Sequence, residues 1–144
     1  MAESLTHAVF GELRWEAESS WWFTQMRLPS GDWLDVIVDP GDEDPSTFIE
    51  QAATLFRRAM DAERRILHEA VRGRMLDLYD AWRQEGEPEL SAAGLEERLE
   101  LTFVRLDTVS PIVLSYWPAE VFGGHSVDVM VDERLRVTGV GLVG

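Results

Sequence analysis

The chain changes its periodicity within residues 33–48, whose sequence is WLDVIVDPGDEDPSTF. Residues 33–38 are rich in apolar and β-branched side chains and predict a strand. Residues 39–45 contain two prolines, a glycine and four acids, a composition that predicts a loop. From Ser46 onward apolar residues recur at helical spacing, with Pro45 suited to the first turn and Asp44 or Ser46 to the cap. This stretch therefore separates a region of strands from a region of helices.

The helical pattern continues to about residue 82, but its apolar face rotates near Gly73. Before Gly73 the apolar stripe consists of Phe48, Ala52, Leu55, Phe56, Ala59, Ile66, Leu67 and Ala70; after it, of Met75, Leu78, Tyr79 and Trp82. The centre of the second set is rotated by roughly a third of a turn from the first at 100° per residue. Because a straight helix cannot bury both sets, we expect two helices, or one helix kinked near Gly73.

Short strands are predicted on both sides of this helical region. The expected strands are Phe10–Glu16, Trp21–Leu28 and Trp33–Val38 before it, and Leu101–Val109, Ile112–Trp117, His125–Val131 and Leu135–Val143 after a short helix capped by Ser91. Strands, then helices, then strands predict an α+β fold, with a largely antiparallel sheet and two or three helices packed on one face. A length of 144 residues suits a single domain, 1–144.

The charge balance restricts the partners that the chain can have. Thirteen basic side chains, all arginine, oppose 27 acidic ones, for a net charge of −14. This charge repels phosphate backbones and acidic membrane surfaces, so we expect no nucleic-acid partner and no membrane partner. The first residues, Met1 to His7, have neither the basic nor the apolar region of a secretory signal, so we expect a cytoplasmic protein, although the absence of cysteine would also suit an oxidising compartment.

Motifs for chemistry are sparse. There is no cysteine, so disulfides and thiolate chemistry are excluded. The segment from Gly139 to Gly144 satisfies G-x-G-x-x-G, but no helix follows to meet a pyrophosphate. The three histidines, His7, His68 and His125, lack metal-ligand spacing. We therefore expect no cofactor, no metal site and no catalytic residue.

The adjacent pair Trp21 and Trp22 is the first candidate for partner binding. Neighbouring residues of a strand point to opposite faces of the sheet, so one of the two indoles is expected to be exposed unless a second layer covers it. An exposed tryptophan is a suitable anchor for a protein partner. The second candidate is the acidic loop with Asp42, Glu43 and Asp44, which would attract a basic partner over a long range.

A set of separated motifs resembles a known family. The motifs are Trp15, Trp21-Trp22, Leu78-Tyr79-Asp80-Ala81-Trp82, Leu90-Ser91 with Leu95 and Leu99, Phe122-Gly123-Gly124-His125-Ser126-Val127-Asp128-Val129, and a final glycine. In this order they resemble a family of bacterial domains of unknown function, marked by the Phe-Gly-Gly-His-Ser motif, whose members often occur among polymorphic-toxin immunity proteins. The family commonly has asparagine where this chain has Asp80. The resemblance implies binding rather than catalysis.

We expect a structural role for the motif residues Phe122, Gly123, Gly124, His125, Tyr79 and Trp82. Two glycines permit a tight turn, and the imidazole of His125 can then bond backbone groups at the entry to the following hairpin. A contact between His125 and a partner is the alternative interpretation.

These observations predict an immunity-type interaction protein that is not an enzyme and that binds a basic toxin domain. Nuclease toxins tend to be basic because they bind phosphates, and an acidic inhibitor complements the same surface. One alternative is a small-molecule-binding protein or an enzyme with an aromatic cleft near Trp21 or Trp22 and His125, and another is a purely structural oligomer. The protein itself is expected to be a monomer or a weak homodimer.

Overall fold

The computed structural model describes residues 3–143 and contains an eight-stranded sheet. Its strands are β1 (Ser4–His7), β2 (Gly11–Glu16), β3 (Trp21–Arg27), β4 (Trp33–Val38), β5 (Glu100–Leu106), β6 (Ile112–Trp117), β7 (Ser126–Val131) and β8 (Val137–Val143). They lie side by side in sequence order, so β1 and β8 form the two edges. Gly144, the last glycine of the G-x-G-x-x-G match, lies outside the described residues, as do Met1 and Ala2.

The helices lie between β4 and β5, apart from a short 3₁₀ turn at Phe122–Gly124. They are α1 (Pro45–Asp61), α2 (Glu63–Ala70), α3 (Leu76–Trp82) and α4 (Ala92–Arg98). Both of the predicted caps form: the carboxylate of Asp44 accepts a hydrogen bond from the N–H of Thr47 at 3.0 Å, and the hydroxyl of Ser91 accepts one from Gly94 at 3.0 Å. No helix within residues 3–143 has the length and apolar character to cross a membrane.

A π-helical turn, Val71–Met75, joins α2 to α3. Such a turn accommodates one extra residue, which rotates the following side chains by about 100° around the helix axis. The buried positions accordingly move from Ile66 and Ala70 to Val71, Met75 and Tyr79. The predicted kink near Gly73 is thus a π turn in a single helical rod. With this rod counted once, the described residues contain three helical segments besides the short 3₁₀ turn.

The sheet is antiparallel at every pairing except β4 with β5, which are parallel. A parallel pair requires a long crossover, and here the crossover is the whole helical region. Within residues 3–143 all of the helices therefore pack on one face of the sheet and leave the opposite face without a second layer. The predicted α+β fold with a largely antiparallel sheet is confirmed.

The core fills the space between the helices and the sheet. It is built from alternate residues of the strands, such as Val36, Val104 and Leu114, and from the apolar stripe of the helices. At its edge the hydroxyl of Tyr116 donates to the carboxylate of Glu63, with an O–O distance of 3.2 Å. Burial, and then the charge of Glu63, raise the pKa of Tyr116, so the phenol remains a donor.

Several element boundaries differ from the prediction, and one strand was missed. β1 consists of Ser4-Leu5-Thr6-His7, a short polar segment without a distinct apolar alternation. β8 begins two residues later than expected because Leu135 has a positive φ of 63° and belongs to the preceding turn. β5 ends at Leu106, since Asp107 accepts the N–H groups of Val109 and Ser110 and turns the chain.

Candidate functional site

The face of the sheet opposite the helices is the candidate site, and we call it the open face. The register of the strands assigns its residues, because directly paired residues share a face and neighbours along a strand alternate. Its aromatic residues are Trp21, Phe23, Trp33, Phe103 and Trp117; its carboxylates are Glu12, Glu16, Asp35, Glu100 and Asp128; its arginines are Arg14, Arg27 and Arg105. The open face is therefore both aromatic and acidic.

The tryptophan pair divides between the two faces, as the alternation predicts. Trp22 pairs with Val38 on the helix-facing side, where it is only 7% exposed and packs edge-on against Trp15. Trp21 lies on the open face, half-buried, and its indole N–H donates to the carboxylate of Glu16 at 3.1 Å. This burial removes Trp22 from the candidate partner-binding residues and leaves Trp21.

Trp21 belongs to a cluster centred on Arg105. The guanidinium carbon of Arg105 lies 5.2 Å from the centroid of the Trp21 ring. The same guanidinium contacts Asp39 at 3.1 Å and Asp107 at 2.9 Å. A guanidinium between an indole face and two carboxylates combines a cation–π contact with charge-assisted hydrogen bonds. This cluster occupies the end of the open face where β4 and β5 finish.

The opposite end of the open face carries the most exposed aromatic residues of the sheet. Trp33 at the start of β4 is 55% exposed, and Trp117 at the end of β6 is 43% exposed. Glu100 pairs directly with Trp117, on the strand that lies between the two tryptophans. Arg27 covers Trp33, with its guanidinium carbon 4.6 Å from the ring centroid.

Sequence reasoning missed Trp33, Trp117 and Arg105, although a signal for Trp33 was present. The period-two alternation places Trp33 on the same side as Asp35, away from Leu34 and Val36. Which of the two sides of the sheet faces water depends on the crossover between β4 and β5. Local periodicity contains no information about the pairing of such distant strands.

The acidic loop after β4 is exposed, as predicted, and its three acids differ in role. Asp42 and Glu43 are exposed. Asp44 caps α1, and the hydrogen bonds from the N–H and then the hydroxyl of Thr47 lower its pKa. Asp42 and Glu43 therefore stay candidates for long-range attraction, while Asp44 also stabilises the helix.

The charge of the molecule is unevenly distributed along the chain. Residues 45–82, which include α1, α2 and α3, contain six arginines and six carboxylates and are neutral. The net charge of −14 thus resides entirely in the rest of the chain: the strands, their loops and the segment around α4. The open face carries five carboxylates and three arginines, so it contributes a net negative charge to this total.

The two motifs that carry the family resemblance meet in space. The rings of Tyr79 and Phe122 are perpendicular, with centroids 5.1 Å apart, and both side chains are buried. The hydroxyl of Tyr79 donates to the backbone carbonyl of Pro88. Phe122 and Gly123 have positive φ values of 56° and 61°, and Gln84 lies directly over Gly123. These contacts connect the end of α3 to the turn between β6 and β7.

The structure corrects the contact expected for His125. Within residues 3–143 its imidazole has no hydrogen-bond partner, and the hydrogen bond at this turn runs from its backbone N–H to the carbonyl of Phe122 at 3.2 Å. The ring instead lies edge-on to Trp82, with centroids 6.4 Å apart. Trp82 is 52% exposed at the end of α3.

The alternative of an aromatic cleft shared by the tryptophan pair and His125 is not supported by their positions. Trp21 on β3 and the turn before β7 are four strands apart, which is about 19 Å at about 4.8 Å per strand. Trp21 faces away from the helices, whereas His125 packs against one of them. Among the surface grooves of the described residues, three have volumes of about 540, 540 and 730 Å³, and Trp21, Trp22 and His125 line none of these three.

Comparison with known proteins adds no relative to this description: no family model, no curated protein and no solved structure matches the chain.

Proposed function

We propose that this chain is a binding protein without catalytic activity, and that it captures a basic protein on the open face of its sheet. The observation that carries the proposal is the composition of that face, which contains five aromatic residues and five carboxylates and which no helix within residues 3–143 covers. Aromatic residues supply contact area, and the carboxylates select a positively charged partner.

The size of the face suits a protein better than a small molecule. Eight strands spaced about 4.8 Å apart and about six residues long give a surface of about 700 Å². One partner of a standard protein–protein interface contributes about 800 Å². Small-molecule sites, in contrast, are concave and enclose most of the ligand.

The resemblance to a family that often occurs among immunity proteins indicates which class of protein the partner belongs to. In an immunity-type protein the partner is a toxin domain, and a toxin that binds nucleic acid carries the basic surface that the open face complements. We therefore propose a basic toxin domain as the partner, and a role in occluding its active surface.

Three matched baits test the proposal: the unaltered chain, the double variant Trp33→Ala/Trp117→Ala on the open face, and Trp82→Ala as a control at an equally exposed tryptophan outside it. Each is immobilised and exposed to an extract of the host, and retained proteins are identified by mass spectrometry. The expected result is one basic protein retained by the first and third baits and lost from the second.

The retained protein is then purified and titrated against each bait by calorimetry, with unfolding curves to show that the variants are folded. Equal affinity for all three baits, or retention of acidic proteins only, would contradict the proposal.

A further inference from the structure

On the open face, one arginine of the chain itself is bound by an aromatic ring and by carboxylates. Arg105 lies over Trp21 and contacts the carboxylates of Asp39 and Asp107. One indole and two carboxylates thus surround one guanidinium. This arrangement uses the planar cation for stacking and for hydrogen bonding at the same time.

The other end of the open face has the same set of groups around Trp117. Glu100 is its direct partner across β5 and β6, and directly opposed residues have Cβ atoms about 5 Å apart. Asp32 directly precedes β4, and because β4 and β5 run parallel it lies at the same end of the sheet as Glu100. Within residues 3–143 the arginines that lie over tryptophan rings are Arg27 and Arg105, and neither of them covers Trp117.

The two carboxyls at this end lack a compensating cation. Hydrogen bonding to Asp32, and then repulsion from its charge, raise the pKa of Glu100. Among the ion pairs within residues 3–143 none includes Asp32 or Glu100. A cation placed between the two carboxyls would relieve the repulsion that acts on Glu100.

We propose that Trp117, Glu100 and Asp32 form a seat for an arginine side chain of the partner. The inference rests on the proposed function and specifies its chemistry: the basic partner inserts an arginine at this end of the open face. Arginine fits better than lysine because its planar guanidinium stacks on the indole while its N–H groups bond both carboxylates. Trp33, on the neighbouring strand, borders the seat and keeps Arg27 on its ring.

The test uses small probes, so it does not require the partner. The ¹⁵N-labelled chain is titrated with N-acetyl-arginine-N-methylamide, with the lysine analogue and with the uncharged citrulline analogue. The indole N–H signals are followed by NMR and assigned through single Trp→Phe variants. The arginine probe should shift the Trp117 signal saturably, with little change at Trp82. The lysine probe should bind at least about threefold more weakly, as expected for loss of stacking.

Two variants examine the carboxylates. Glu100→Gln should weaken the arginine probe about threefold or more, whereas Glu89→Gln, on the exposed loop before α4, should leave it unchanged. A Trp117→Ala variant, shown to be folded by its unfolding curve, should bind the probe no better than citrulline binds the original chain.

The proposal is overturned if the citrulline probe shifts Trp117 as strongly as the arginine probe, if no shift saturates, or if Glu100→Gln is without effect. Such a result rejects the arginine seat alone, because the bait experiment tests the protein partner independently.

Discussion

At the scale of single residues, the turn between β6 and β7 depends on backbone conformation. Gly123 has a φ of 61°, a region that costs a residue with a Cβ atom about 1–2 kcal/mol. We expect Gly123→Ala to lower the free energy of unfolding by this amount. The matched control is Gly73→Ala, in the π turn with open space around its Cα, which should raise it by about 0.5–1 kcal/mol. Denaturant unfolding of both variants measures the difference, and a loss at Gly73 equal to that at Gly123 would contradict this explanation.

Substitutions of the motif residues should lower the free energy of unfolding by different amounts. Phe122 is fully buried against Tyr79, so Phe122→Ala should cost about 3–5 kcal/mol. His125 makes an edge contact with Trp82 and has no side-chain hydrogen bond within residues 3–143, so His125→Ala should cost less than about 1 kcal/mol. Thermal unfolding separates these values. A large loss for His125→Ala would indicate a hydrogen bond that this structure lacks.

At the scale of elements, much of the secondary structure was predictable because local chemistry determines it. Asp44 and Ser91 cap their helices as expected, and the rotated apolar stripe indicated a break or kink near Gly73, where the structure has the π turn. The polar strand β1 was not predictable, since its pairing with β2 and the contact of His7 with Glu50 on α1 stabilise it rather than any apolar pattern.

The candidate site was less predictable than the fold. The alternation of Trp21 and Trp22 was correct, but the face covered by helices depends on the parallel pairing of β4 with β5. Because β4 and β5 are more than 60 residues apart in the chain, local patterns contain no signal for that pairing. Trp117 became a candidate only through it.

The cap of α1 should make stability depend on pH. Hydrogen bonds from Thr47 lower the pKa of Asp44 below its ordinary 3.8, so the folded state favours the ionised carboxylate. This contribution is fully present above the ordinary value and is lost as the pH falls through the lowered one. Asp44→Asn keeps a capping oxygen without the charge. Its stability deficit at pH 7 should therefore shrink as the pH falls below 3.8, as measured by denaturant unfolding; a deficit that grows would contradict the assignment.

At the scale of the whole molecule, the charge outside the helical region should accelerate encounter with a basic partner. Asp42 and Glu43 are exposed and can be reversed to lysine without removing the α1 cap, whereas Asp44 cannot. We expect Asp42→Lys/Glu43→Lys to reduce the association rate and its salt dependence, with dissociation little changed. Stopped-flow measurements at several salt concentrations test this. An association rate that changes neither with salt concentration nor with the substitutions would exclude electrostatic attraction.

The most direct measurement of the central claim is hydroxyl-radical footprinting of the complex with the purified basic partner. Trp33, Trp117 and Trp82 are about equally exposed in the free chain, and all three should therefore be oxidised at similar rates. In the complex, oxidation of Trp33 and Trp117 should fall sharply while Trp82 continues to react. Protection of Trp82 with continued oxidation of Trp33 and Trp117 would show that the partner binds elsewhere and would contradict the assignment of the open face.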